Sequence, residues 1–136
     1  MADAEPIRLR AATIFVNDRE RSARFYVDVL GCRREHGDGA EVTPPGSSTS
    51  FLLVQPSLSE MGAERASVAR QRIGEPTGLV LEVGDIDEVY GRLRAHGVNV
   101  GPAPVRDDAG VAATTFCDPD GNSFTLVQAP NGVHGA

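Results

Sequence analysis

The chain has no long apolar run. No stretch approaches eighteen consecutive apolar residues, so the sequence predicts no transmembrane helix. Positive charge is in deficit, with 13 Lys plus Arg against 19 Asp plus Glu, a net charge of −6. A protein that tracks a phosphate backbone needs clustered cations, so nucleic acid is excluded as a general partner, and an anionic membrane surface is disfavoured in the same way. Cysteine is scarce. Cys32 and Cys117 do not make a disulfide scaffold, and a cytoplasmic protein with free thiols is the expectation. The opening residues MADAEPIRLR carry no apolar signal-peptide core. Histidine is scarce too. His36 falls in an expected hairpin strand, His96 at a helix end and His134 in the tail, so the three do not form a ligand cluster.

What is present is a soluble-type composition, 40% hydrophobic and 24% charged, in 136 residues, enough for one compact domain. Periodicity predicts a strand over 7–16, a helix over 22–30 ended by Gly31, and short strands over 32–36, 41–43 and 50–55. Asn17 or Asp18 can cap the helix. Residues 57–76 have poor periodicity and form a linker with one short helix near 64–72, long enough to serve as a mobile lid. Strands follow at 79–83, 98–100, 111–117 and 124–128. Asp85 can cap a helix over 86–96, and residues 101–108 are a loop with two prolines.

The halves repeat. Phe15-Val16-Asn17-Asp18 matches Glu82-Val83-Gly84-Asp85 at an offset of 67, and Phe51-Leu52-Leu53-Val54-Gln55 matches Phe124-Thr125-Leu126-Val127-Gln128. Each half has the order β-α-β-β-β. One such unit cannot bury both its helix and its sheet well, whereas two can share a core. The expected fold is α+β: two βαβββ modules forming a curved mixed sheet around a cleft. A single domain spans 7–130, with module one at 7–56, the linker at 57–76 and module two at 77–130.

This arrangement resembles the vicinal oxygen chelate superfamily of glyoxalases, bleomycin-resistance proteins and extradiol dioxygenases. The resemblance is carried by Val16-x-Asp18-x-x-Arg21-Ser22-x-x-Phe25-Tyr26 with Val29-Leu30-Gly31, and by Asp118-Pro119-Asp120-Gly121-Asn122. It implies metal ligands on four strands, and the matching positions here are Ala11, Leu52, Gly78 and Thr125. None is a plausible ligand, so no metal and no cofactor is expected. Stepping by two along the strands gives a mainly apolar ligand-binding set: Ala11, Thr13, Phe15, Leu52, Val54, Gly78, Val80, Glu82, Thr125 and Val127.

The expected function is that of a metal-free small-molecule binding protein of the bleomycin-resistance type, sequestering an aromatic or cationic compound. The resemblance further implies a homodimer. The alternative is a metal-independent isomerase, cyclase or hydrolase, with Glu82 or His36 as the catalytic acid or base.

Overall fold

The structure is a computed structural model and describes residues 4–35 and 40–130. The element order is β1 (Ala11–Phe15), α1 (Arg19–Asp28), β2 (Arg33–Glu35), β3 (Glu41–Thr43), β4 (Ser50–Val54), α2 (Leu58–Met61), α3 (Ala63–Gln71), β5 (Pro76–Glu82), α4 (Ile86–Ala95), β6 (Val105–Arg106), β7 (Ala112–Cys117) and β8 (Ser123–Gln128). The strands make two open four-stranded sheets, ordered β1-β4-β3-β2 and β5-β8-β7-β6. In each, the first strand runs parallel to the last, and the other pairs are antiparallel. A parallel pair needs a long crossover, here supplied by α1 and α4 together with the two strands that follow each. The sequence repeat is therefore a structural repeat, and the α+β fold of two βαβββ modules is observed.

The repeat reaches individual atoms. Asp18 and Asp85 both have φ −141, and each accepts at Oδ1 from the amide three residues on, at 3.1 Å. Gln55 Oε1 accepts from Arg19 N at 3.0 Å, and Gln128 Oε1 accepts from Ile86 N at 2.8 Å. The glutamine that ends each module's closing strand thus satisfies an orphan donor at the start of that module's helix.

One face of each sheet is apolar and buried. Ile14, Phe51, Leu53, Phe116, Phe124 and Leu126 join Tyr26, Ala23, Ile86 and Leu93 in a core drawn from both modules. Tyr26 lies edge-on to Phe51 and Phe124, and Phe116 stacks on Phe124 with ring centroids 5.2 Å apart. Each fully buried side chain of this size contributes about 1.5–3 kcal/mol, the largest favourable term holding the modules together.

Several expectations need correction. Residues 7–10 are not in a strand: the first ladder starts at Ala11, and Ile7 and Leu9 are exposed. The expected strand at 98–100 reduces to a single bridge from Val100 to Phe116. The partner of β7 is instead Val105–Arg106, inside the expected loop. Pro102 and Pro104 supply no backbone N–H, so the ladder resumes only beyond them. The linker carries two helices, divided at Gly62, whose φ of +83 suits glycine.

Candidate ligand-binding groove

Alternation along the strands separates two faces. Ala11, Thr13, Phe15, Leu52, Val54, Gly78, Val80, Glu82, Thr125 and Val127 alternate with the core residues of their strands and are half-buried or exposed. Their spacing therefore places all ten on the sides of the sheets away from the core.

A wide cavity lies on the other side. It is an open groove of about 920 Å3 between the modules. Its floor is apolar and uses the alternate register: Ala12, Phe51, Leu79, Leu81, Phe116 and Leu126. One wall comes from module one, with Leu30 just past α1 and the Pro44-Pro45-Gly46 turn. The opposite wall is the face of α4 bearing Asp85, Glu88, Val89 and Arg92, whose spacing keeps them on one side of a helix. Val80 and Glu82 also line the groove, so two of the ten sequence-derived residues reach it.

Thr13 and Phe15 line a smaller recess of about 350 Å3, beside Arg72, Pro76 and Asn122. The remaining six, Ala11, Leu52, Val54, Gly78, Thr125 and Val127, line neither cavity. His36 lies outside the described residues.

The electrostatics of the groove are one-sided. Asp85 Oδ1 is occupied by the helix cap. The side chains of Glu82, Glu88 and Arg92 make no hydrogen bond or ion pair among the described residues. The module-one wall carries no charge. A ligand would meet three carboxylates and one guanidinium on one side and apolar or neutral groups on the other.

The strand positions that correspond to metal ligands in the resembled superfamily hold Ala11, Leu52, Gly78 and Thr125. Two alkyl side chains, a glycine and one neutral hydroxyl do not fit a transition metal. Among the described residues, no three His, Cys, Asp or Glu side chains come together to form an alternative site. Burial pushes the Cys32 thiol up to about 12, away from the thiolate that chemistry would need. Burial also raises Cys117, with the neighbouring Asp118 adding to the shift. All 13 basic residues are arginine, so no lysine amine exists for covalent catalysis.

The Glyoxalase/Bleomycin resistance protein/Dioxygenase superfamily model matches residues 8–126. The chain belongs to this superfamily. A solved member from Sphaerobacter thermophilus is 36% identical, with a TM-score of 0.71 over 90% of this chain and 98% of that one. TnmS3, an antibiotic-binding protein from a Streptomyces species, is 26% identical, with a TM-score of 0.67 over 93% of this chain and 99% of that one. A lactoylglutathione lyase from Agrobacterium tumefaciens is similar in fold, at 22% identity and a TM-score of 0.65 over 92% and 96% of the two chains. No curated protein matches the chain by sequence.

The set derived from the sequence takes the opposite strand face, so Phe51, Leu79, Leu81 and Leu126, which alternate with its members, are not in it. Periodicity identifies the apolar side of a strand. It does not say how much of that side a neighbouring module leaves open. Only the half-burial of Leu79 and Leu81, on a strand with a single ladder partner, marks the opening.

Proposed function

We propose that this chain is a metal-free small-molecule binding protein of the bleomycin-resistance type, sequestering an aromatic or cationic compound in the groove between its modules. The observation that carries this reading is the groove itself. Its volume of about 920 Å3 suits a drug-sized ligand, its floor is apolar, and its charged groups are few and confined to module two. The misfit of Ala11, Leu52, Gly78 and Thr125 with metal ligation supports binding over metal chemistry. The likeness to an antibiotic-binding protein points the same way.

The strand face bearing Ala11, Thr13, Phe15, Leu52, Val54, Gly78, Thr125 and Val127 we assign to contact with a second copy in a homodimer. Phe15, Leu52, Val54 and Val127 on that face are only half-buried in the single chain, and such contact would remove them from water. Light scattering on a sizing column should give twice the chain mass, and a monomer at micromolar concentration refutes the dimer.

The binding test is a thermal-shift screen of aromatic and cationic natural products, followed by calorimetric titration of the hits. Leu81→Arg, which places a charge on the groove floor, should weaken binding by at least about tenfold. Thr125→Arg, on the other face, should leave the affinity of the folded protein unchanged. The reverse pattern moves the ligand to the strand face and refutes the groove.

Glu82 favours one second reading. Its residue lines the groove and its carboxylate has no partner among the described residues, which leaves it open to a proton on a ligand. In that case the protein is a metal-independent isomerase, cyclase or hydrolase. Turnover of a bound hit, abolished by Glu82→Gln with binding retained, would establish it. Binding without turnover excludes it.

A further inference from the structure

The two walls of the groove belong to different modules, so its width is fixed by how the modules are held. We propose that the turn 118–122 is a clamp that sets this width through α1, with Tyr26 and Asp120 as positioning residues. The functional consequence rests on the groove being the ligand seat.

Among the described residues, the hydrogen bonds that join the modules converge on this one turn. Tyr26 Oη donates to Asp118 Oδ2 at 2.7 Å. Asn17 donates to Asp120 from its amide at 3.2 Å and from Nδ2 at 2.9 Å, and Ser22 Oγ donates to the same carboxylate at 3.3 Å. Asn122 Nδ2 donates to the Phe15 carbonyl at 3.0 Å, and Arg21 donates to the Pro119 carbonyl at 3.4 Å.

The clamp is rigid. Asp118 Oδ1 also accepts from the amides of Asp120 and Asn122, so the same carboxylate that holds Tyr26 shapes the turn. The Asp120 side chain is only 3% exposed, so water cannot readily replace its partners. It sits at the start of α1, where the helix dipole favours a carboxylate. The linker is pinned here as well. Gly74 N donates to Asn122 Oδ1 at 2.8 Å, and a Cβ on Gly74 would lie 3.1 Å from the Asp120 carbonyl oxygen.

Helix α1 runs from this clamp to the groove. Asn17 and Ser22 are held at its start and Tyr26 near its end, and Leu30, just beyond that end, forms part of the groove wall. No hydrogen bond among the described residues crosses the groove itself. The modules are therefore tied along α1, from Asn17 at its start to Tyr26 two residues before its end, and beyond Tyr26 they meet only through apolar packing. From Tyr26 to Leu30 is about 6 Å at the helical rise, so a tilt of ~10° at the clamp shifts the Leu30 wall by ~1 Å. A shift of that size changes ligand contact without altering any residue that touches the ligand.

The test uses Tyr26→Phe, which keeps the buried ring and removes its hydroxyl, and Asp120→Asn as a second, independent loosening. Spin labels at Arg24→Cys and Arg94→Cys, in a background of Cys32→Ala and Cys117→Ala, report the distance between α1 and α4. The neutral aromatic probe N-phenyl-1-naphthylamine reports the groove, with Leu81→Arg as the blocked control. In both variants the label distance distribution should broaden, and probe affinity should fall by about fivefold at unchanged stoichiometry. Distributions as narrow as the parent's in both variants overturn the clamp, even if thermal stability drops. Broadened distributions with unaltered probe affinity overturn its control of the groove. Failure of the parent protein to bind the probe counts against the ligand seat alone, because the distance widths still decide the clamp.

Discussion

Tyr26 and Cys32 are the buried titratable groups whose environments act on stability. The Tyr26 hydroxyl is held well above its ordinary range, first by burial and then by the Asp118 carboxylate that accepts its hydrogen bond. Burial alone takes Cys32 from 9.0 up to about 12. Both groups keep their proton longer in the folded chain than in the unfolded one. Their contribution is therefore complete below the unfolded value and is lost as pH rises through the folded one. For Cys32 that window runs from pH 9 to about 12. Urea unfolding over the accessible part of the window should show stability falling with pH, with Cys32 contributing at most about 1.4 kcal/mol per pH unit. Cys32→Ala should flatten the slope, whatever it does to absolute stability. An unchanged slope would mean that the thiol is not shielded in the folded state.

At the scale of elements, the two modules use the same parts with different burial. The Gln128 bond to the Ile86 amide is buried, whereas the Gln55 bond to the Arg19 amide is exposed. Water can replace the lost acceptor at Arg19 but not readily at Ile86. Gln128→Ala should therefore cost about 1–3 kcal/mol, and Gln55→Ala under about 1 kcal/mol, by chemical denaturation. Equal costs would show that the two sites are equally hydrated. Helices α2 and α3 present a contrast. Ala66 and Ala69 are their only buried residues, while Leu58 and Val68 stay exposed. Few apolar contacts hold them, so amides over 58–71 should exchange markedly faster than those of β8. Uniformly slow exchange would place an unseen partner on these helices, and slowing only with ligand would make the segment a lid.

At the scale of the molecule, superfamily membership coexists with four strand positions whose side chains do not fit a metal. The scaffold turns, caps and aromatic core are intact, while the four strand positions that would converge on an ion hold Ala11, Leu52, Gly78 and Thr125. A ligand that binds only the folded state raises its stability by mass action. Titration with Ni, Zn, Mn or Fe(II) at up to ten equivalents should leave the melting temperature unchanged, whereas a compound that fills the groove should raise it. A saturable rise with one equivalent of any of these metals would return metal chemistry to this chain and displace the binding reading.

The sequence determined what depends on neighbours along the chain. Asp18 and Asp85 were legible as helix caps, Gly31 as a stop, and the two closing strands as copies, because capping, turn formation and alternation are local. The two-module α+β fold followed from that repeat. Alternation also put the ten strand-face residues opposite the core residues of their strands. It could not say which side forms a cavity, because that depends on the angle between modules, set by contacts such as Asn17 with Asp120 across about a hundred residues. Leu79 and Leu81 alternate with the residues chosen for the cleft. Their pattern is that of buried residues, and only the separation of Leu30 from α4 leaves them facing a groove. The strand at Val105–Arg106 escaped notice because two exposed residues after a proline carry no periodicity, and the ladder of β7 alone recruits them. Tertiary packing decided the position of the groove because its walls come from segments that the chain brings together only after both modules have formed.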